Sequence, residues 1–319
     1  MENQDEKLDK LKIFGRKVFF VNPSTKIERH VVNDLRDNEY EVYNINDFRY
    51  VKHVLQMFDD AVCFIYIDSG FSYSTWYKFI KSIEYDDKYK NVLIGVLSER
   101  IPQAKKDFFL MNTNLPAGFI NTNLPFKDIF NRINMVLEIN ETKGKRKYVR
   151  LQISNNDRIS VFASFNGRAF SLDVLDISSV GLAVNVSAAA ASAFAPKQIL
   201  NSLSFTIDKK TFTIQCVVLM SKVSGKVCNS VLYFLNPPEK FIRVVKSFIS
   251  SELEKDMAKL LERASLDHID YASLDLDSLG TYGEISEEDE EVEEIEEIEE
   301  AEEVDEVDEI ESAADGESE

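Results

Sequence analysis

Two short runs in this chain carry side chains able to act together on one ligand. Arg146 and Arg150 stand four apart in Arg146-Lys147-Tyr148-Val149-Arg150, and Asp176, Ser178 and Gly181 fall in Asp176-Ile177-Ser178-Ser179-Val180-Gly181. A guanidinium is a planar fork of donors that pairs bidentately with phosphate oxygens or with guanine O6 and N7, and it also stacks on a base. An aspartate accepts from an N–H edge, a serine hydroxyl bonds either way, and a glycine lets backbone come close or take a positive φ. Lys143, Lys145 and Lys147 thicken the positive field around the arginines. This is a set for gripping an anion, with no nucleophile and base pair in it.

Two kinds of element must position these residues. From about residue 14 to 140, short apolar runs alternate with amphipathic stretches: KVFFVNP, EVYNI, AVCFIYID, NVLIGVLS and AGFIN read as strands, with helices between them and FKDIFNRINMVLEI as the closing helix. Five continuous apolar strands separated by helices imply a parallel sheet covered on both faces, a doubly wound α/β domain. After the hydrophilic ETKGKRKYVR the pattern changes. RISVFASF alternates apolar and polar residues, Asn166-Gly167 is a hairpin-turn dipeptide, and AFSLDVLDIS answers it. GLAVNV, LSFTID, a Lys209-Lys210 turn, TFTIQCVVLMSKV and VCNSVLYFL complete about six short strands over residues 141–236, which predicts a small antiparallel barrel. Pro237-Pro238 ends it, and residues 237–266 predict one amphipathic helix with Phe241, Val245, Phe248, Leu253 and Met257 on its apolar stripe, packed on the barrel or on a second copy of the chain.

The order of the first ten elements resembles the receiver domain of two-component signalling. In that family an acidic pair ends the first strand, a phosphorylated aspartate ends the third, a Ser or Thr ends the fourth, and a lysine before proline follows the fifth. Asp68 and Ser98 match, whereas Asn22-Pro23 and Leu124-Pro125 stand at the acidic-pair and lysine positions. The resemblance therefore implies a receiver-like fold without phosphoryl chemistry, in which Asp68 caps the next loop and the domain docks a protein partner.

The two runs described first resemble the signatures of the PilZ family, RxxxR followed about two strands later by D/N-x-S-x-x-G. The likeness spans roughly residues 141–234, and the gap from Arg150 to Asp176 is what one hairpin consumes. It implies a six-stranded barrel that binds cyclic di-GMP. Arg146 and Arg150 would hold phosphates and bases, Asp176 and Ser178 the guanine Watson–Crick edge, and Gly181 a close backbone approach. With five basic residues between 143 and 150 repelling one another and Gly144 among them, the linker is expected to be loose until ligand orders it and fixes the angle between the domains.

Charge and motifs narrow the alternatives. The net charge is −19, but residues 284–319 hold 22 of the 56 acids and none of the 37 bases, so the rest of the chain is near neutral. A short basic patch on such a body argues against a nucleic-acid binder, the one rival besides a nucleotide-independent adaptor. No GxxxxGK[ST], HExxH, GxSxG, GGDEF or EAL-like run occurs, so no enzyme and no cofactor is expected. Cys63, Cys216 and Cys228 are far apart, with neither disulfide nor metal spacing. The absence of a signal-like start or an 18-residue apolar run predicts a cytoplasmic protein away from membranes. Residues 270–319, a low-complexity acidic repeat, predict a disordered tail.

Overall fold

The computed structural model describes residues 14–153, 157–165 and 167–266. The acidic tail and Asn166 lie outside the described residues.

The first domain is a five-stranded parallel sheet of β1 (Val18–Val21), β2 (Val42–Ile45), β3 (Val62–Tyr66), β4 (Leu93–Ser98) and β5 (Phe119–Asn121) in the order β2-β1-β3-β4-β5. Helices α1 (residues 25–37), α2 (Val51–Met57), α3 (Tyr73–Glu84), α4 (Gln103–Asn112) and α5 (Phe126–Ile139) alternate with the strands. This is the doubly wound expectation, and its cause is visible in β1 and β3, every residue of which is buried. A strand covered on both faces has no polar side to spare. One sheet face packs Phe19, Val21, Cys63 and Ile65 against α2 and α3, and the other packs Phe20, Phe64 and Leu97 against α1 and α5.

The second domain is a closed barrel. Strands β7 (Ile159–Phe165), β8 (Arg168–Ser178), β9 (Gly181–Ser187), β10 (Ile199–Ile207), β11 (Lys210–Ser224) and β12 (Val227–Leu235) run β8-β7-β10-β11-β12-β9 and return to β8, with a three-residue β6 (Arg150–Gln152) added on β8. Phe165 pairs with Arg168 at the end of the β7–β8 hairpin, and Gly167 takes φ +75°. The β10–β11 turn falls one residue earlier than expected: Ile207 pairs with Lys210, and Asp208 and Lys209 both take positive φ. A two-residue hairpin needs that conformation at both central positions, and aspartate tolerates it better than a second lysine would.

Helix α6 (Glu239–Leu266) belongs to both domains. Its first half seats Phe241, Val245, Phe248 and Ile249 in the barrel core, while Met257 joins the α2–α3 side of the α/β core and Leu253 touches both. The helix expected to pack on the barrel or a second chain therefore bridges barrel and sheet of one chain.

Arg158, at the entry to β7, clamps α6 to the barrel. It donates to both Asp208 oxygens at 2.6 and 2.7 Å, to Ser251 Oγ at 3.2 Å and to Glu252. The Arg158 hydrogen bond holds the Asp208 carboxyl below its ordinary 3.8, and at Glu252 burial acts upward but the bonds from Lys255 and Arg158 win and hold it below 4.5. Carboxylates with depressed values stabilise the fold above their unfolded values and lose that contribution as pH falls through the folded ones. Denaturant midpoints from pH 7 to pH 3 are thus expected to fall more steeply in the native protein than in Arg158→Met, and parallel profiles would show that the clamp contributes nothing.

Candidate functional site

The site forms where the α5–β6 connection meets the barrel. Arg150 pairs with Ser178 and Gln152 with Asp176 in antiparallel register, so the end of the arginine run lies on the strand that carries the Asp-x-Ser run. A β-bulge at Leu175 decides where Asp176 points. Leu172 and Val174 face inward, and strict alternation would bury position 176 too; the bulge shifts the parity, so Ile177 is fully buried and Asp176 turns outward.

Arg146, Arg150 and Asp176 line one cleft of about 740 Å³ between the barrel, the α/β domain and α6. That volume is in the range of small-molecule sites, about 300–1,000 Å³. Its lining also includes Phe14, Arg16, Lys17 and Lys143 as well as the acids Glu39, Glu41, Asp60 and Asp256. Contacts from the α/β domain reach the arginine run and the linker before it. Arg16 N–H donates to the Thr142 carbonyl at 2.7 Å, and a Cβ on Gly15, φ +77°, would lie 2.2 Å from that carbonyl oxygen. This close approach brings Phe14 over the linker, where the Arg146 guanidinium sits 4.0 Å from its ring centroid. Lys143 Nζ lies 4.3 Å from the Tyr40 ring centroid, and Tyr40, by burial and then by the nearby Glu138 charge, is pushed up to about 12, so it presents a neutral face to the ammonium. Five like charges by themselves would keep this segment open. Stacking on Phe14 and Tyr40 offsets that repulsion.

Ser178 and Gly181 lie behind the cleft wall and do not line it. Ser178 is buried, and its hydroxyl donates to the Gly181 carbonyl at 3.2 Å across the turn between β8 and β9. Gly181 does not take a positive φ; a Cβ there would lie 2.3 Å from the Leu232 carbonyl oxygen on β12, so the close approach that requires glycine is between strands.

No family model matches the chain, and no curated protein does. Among solved structures, the chain is similar to the PilZ domain with c-di-GMP of YcgR from Escherichia coli, at 13% identity and TM-score 0.31 over 37% of this chain and 98% of that one. It is also similar to the K. pneumonia MrkH complex with c-di-GMP, at 18% identity and TM-score 0.29 over 39% of this chain and 56% of that one. A third is the Bacillus subtilis inhibitor of motility (MotI/DgrA), at 16% identity and TM-score 0.28 over 34% of this chain and 50% of that one. This chain therefore spans only about half the length of the second and third.

At the C-terminal edge of the parallel sheet, the other place sequence pointed to, Asp68 and Asn22 are engaged by local bonds. Asp68 accepts from the Ser98 hydroxyl, from the Glu99 N–H, from Arg100 N–H at 3.3 Å and from the Tyr73 hydroxyl at 3.4 Å. Asn22 donates to Ser69 Oγ at 2.9 Å. Asp68 is thus the loop-capping carboxylate. Among the described residues no group of three or more His, Cys, Asp or Glu side chains could hold a metal ion, and no helix is long and apolar enough to cross a membrane. Incubation with acetyl phosphate and Mg²⁺ is expected to leave the protein unphosphorylated; a phosphoprotein that disappears in Asp68→Asn would contradict this.

Proposed function

We propose that this protein is a cytoplasmic receptor for cyclic di-GMP, with no catalytic activity, that binds its ligand in the cleft at the α5–β6 junction. The observation that supports it most is the register of β6 on β8, which sets the end of the arginine run beside the strand that carries Asp176, with Arg146, Arg150 and Asp176 lining one cleft. In this reading the two guanidinium forks take the phosphates and guanine O6/N7, and Asp176 accepts from guanine N1–H and N2–H₂. Ser178 serves the same edge by fixing the turn after Asp176, and Gly181 by letting β9 close on β12. The likeness to YcgR and MrkH, both solved with c-di-GMP, is in keeping with the proposal.

Transmission then runs through the residues that hold the arginine run. A ligand that takes Arg146 away from Phe14 and orders residues 143–150 changes the contacts on which the α/β domain sits, and so the domain arrangement offered to a protein partner. Met135 and Ile139, one turn apart on α5, are exposed and apolar, side chains suited to contact with that partner.

Parallel titrations with cyclic di-GMP and with a duplex oligonucleotide, each at two salt concentrations, test the reading. Saturable binding of cyclic di-GMP is expected, with no duplex binding at the higher salt. Duplex binding with a steep salt slope and no cyclic di-GMP binding would replace it with the nucleic-acid reading.

A further inference from the structure

Glu39, which lies outside the barrel, is hydrogen-bonded to both motif runs. It follows α1, where Tyr40 N–H donates to the Leu35 carbonyl at 3.1 Å and Glu39 N–H to the Arg36 carbonyl at 3.0 Å, the double bond of a Schellman ending. The residue at this position takes the left-handed conformation, usually as glycine, and Glu39 adopts it at φ +64°. A side chain kept in a glycine position is held there by what it contacts. Its Oε2 accepts from Val149 N–H at 3.1 Å, inside the arginine run, and its Oε1 accepts from Ser179 Oγ at 2.7 Å, inside the Asp-x-Ser run. Lys246 Nζ of α6 lies 3.0 Å from the same oxygen. The Glu39 side chain is 12% exposed and lines the cleft.

We infer that Glu39 is a latch that ties both motif runs and α6 to the α/β domain and opposes ligand binding. The inference rests on the cyclic di-GMP reading of the cleft. A ligand with two phosphates in this cleft meets the Glu39 charge on the same wall, and drawing residues 146–150 towards it pulls Val149 N–H off its acceptor. Latch and ligand are therefore antagonistic, and by linkage a change that opens the latch tightens binding by the factor that the ligand weakens the latch. Ligand occupancy thereby reaches α1 and α6 through one side chain.

The test compares native protein, Glu39→Gln and Glu39→Gly. Glycine removes the carboxylate at a position that favours it, so the fold is retained. Two measurements are made: amide hydrogen exchange without ligand, and calorimetric titration with cyclic di-GMP. In both variants exchange is expected to rise together in peptides covering 143–153, 176–183 and the 239–250 part of α6, and affinity to increase roughly tenfold, within the usual range of coupling between sites. Faster exchange confined to the 143–153 peptide, or affinity that is unchanged or weaker, overturns the latch. Native protein that does not bind cyclic di-GMP overturns the functional reading instead, and the exchange result then still decides whether Glu39 joins the three elements.

Discussion

Replacing both Arg146 and Arg150 with alanine is expected to abolish measurable cyclic di-GMP binding while leaving the melting temperature close to that of the native protein. In the proposed site each guanidinium would supply charge-assisted, bidentate hydrogen bonds to the ligand, worth about 1.5–3 kcal/mol when removed. That corresponds to roughly 10- to 150-fold in affinity for each single substitution. The two effects need not add, because both side chains hold one ligand. Neither residue belongs to a core: Arg150 is exposed, and Arg146 loses only its stacking on the exposed ring of Phe14. Calorimetric titration of the single and double variants, with a thermal melt of each, checks both halves. Native affinity in the double variant would remove the arginines from the site; a collapsed melt would show that they serve the fold.

A second large effect is expected in stability, from Phe241→Ala. Phe241 is fully buried, and its ring meets Phe205, Phe212 and Phe234 edge-on with centroids 5.2, 5.4 and 5.2 Å away. Truncating an aromatic so enclosed costs about 3–5 kcal/mol in lost burial and cavity formation. The consequence reaches beyond the barrel, because the helix that Phe241 anchors also places Met257 in the α/β core. Denaturant unfolding followed by probes in each domain should therefore shift both transitions to lower denaturant. A shift below about 1 kcal/mol would mean that α6 is a peripheral attachment, and a shift in the barrel alone would mean that it does not couple the two domains.

Much of this architecture was legible in the sequence because its periodicities are unusually clean. The apolar runs Val18–Val21 and Val62–Tyr66 admit little but buried parallel strands, and the alternation of Ile159, Val161 and Ala163 admits little but a half-buried antiparallel one. What placed Asp176 was harder to see, though a signal existed: Val174 and Leu175 are adjacent apolar residues in an otherwise alternating strand, which marks the bulge that turns Asp176 out. Ser178 and Gly181 illustrate the reverse. Their residue types fit contact with a ligand, and only three-dimensional packing reveals that the glycine faces the Leu232 carbonyl and the serine hydroxyl the Gly181 carbonyl.

Phe14, Tyr40 and Glu39 could not be read from sequence, because each acts on residues 143–150 from more than a hundred residues away and no local pattern marks it. The same distance explains why the linker looked free. Its own residues are charged and include Gly144, and the groups that hold it belong to the start of the α/β domain and the loop after α1. The double role of α6 was hidden for a related reason: its apolar stripe runs the length of the helix, and sequence does not say that one half faces a barrel and the other a sheet.

The central claim is that cyclic di-GMP occupies the cleft between β6, β8 and the α/β domain, and amide hydrogen exchange of the full chain with and without saturating ligand tests it most directly. Protection is predicted in peptides spanning residues 143–153 and 173–183, with the peptide around Asp68 and Ser98 unchanged. Ligand-induced protection at that parallel-sheet edge instead, or none at residues 143–153, would contradict the account.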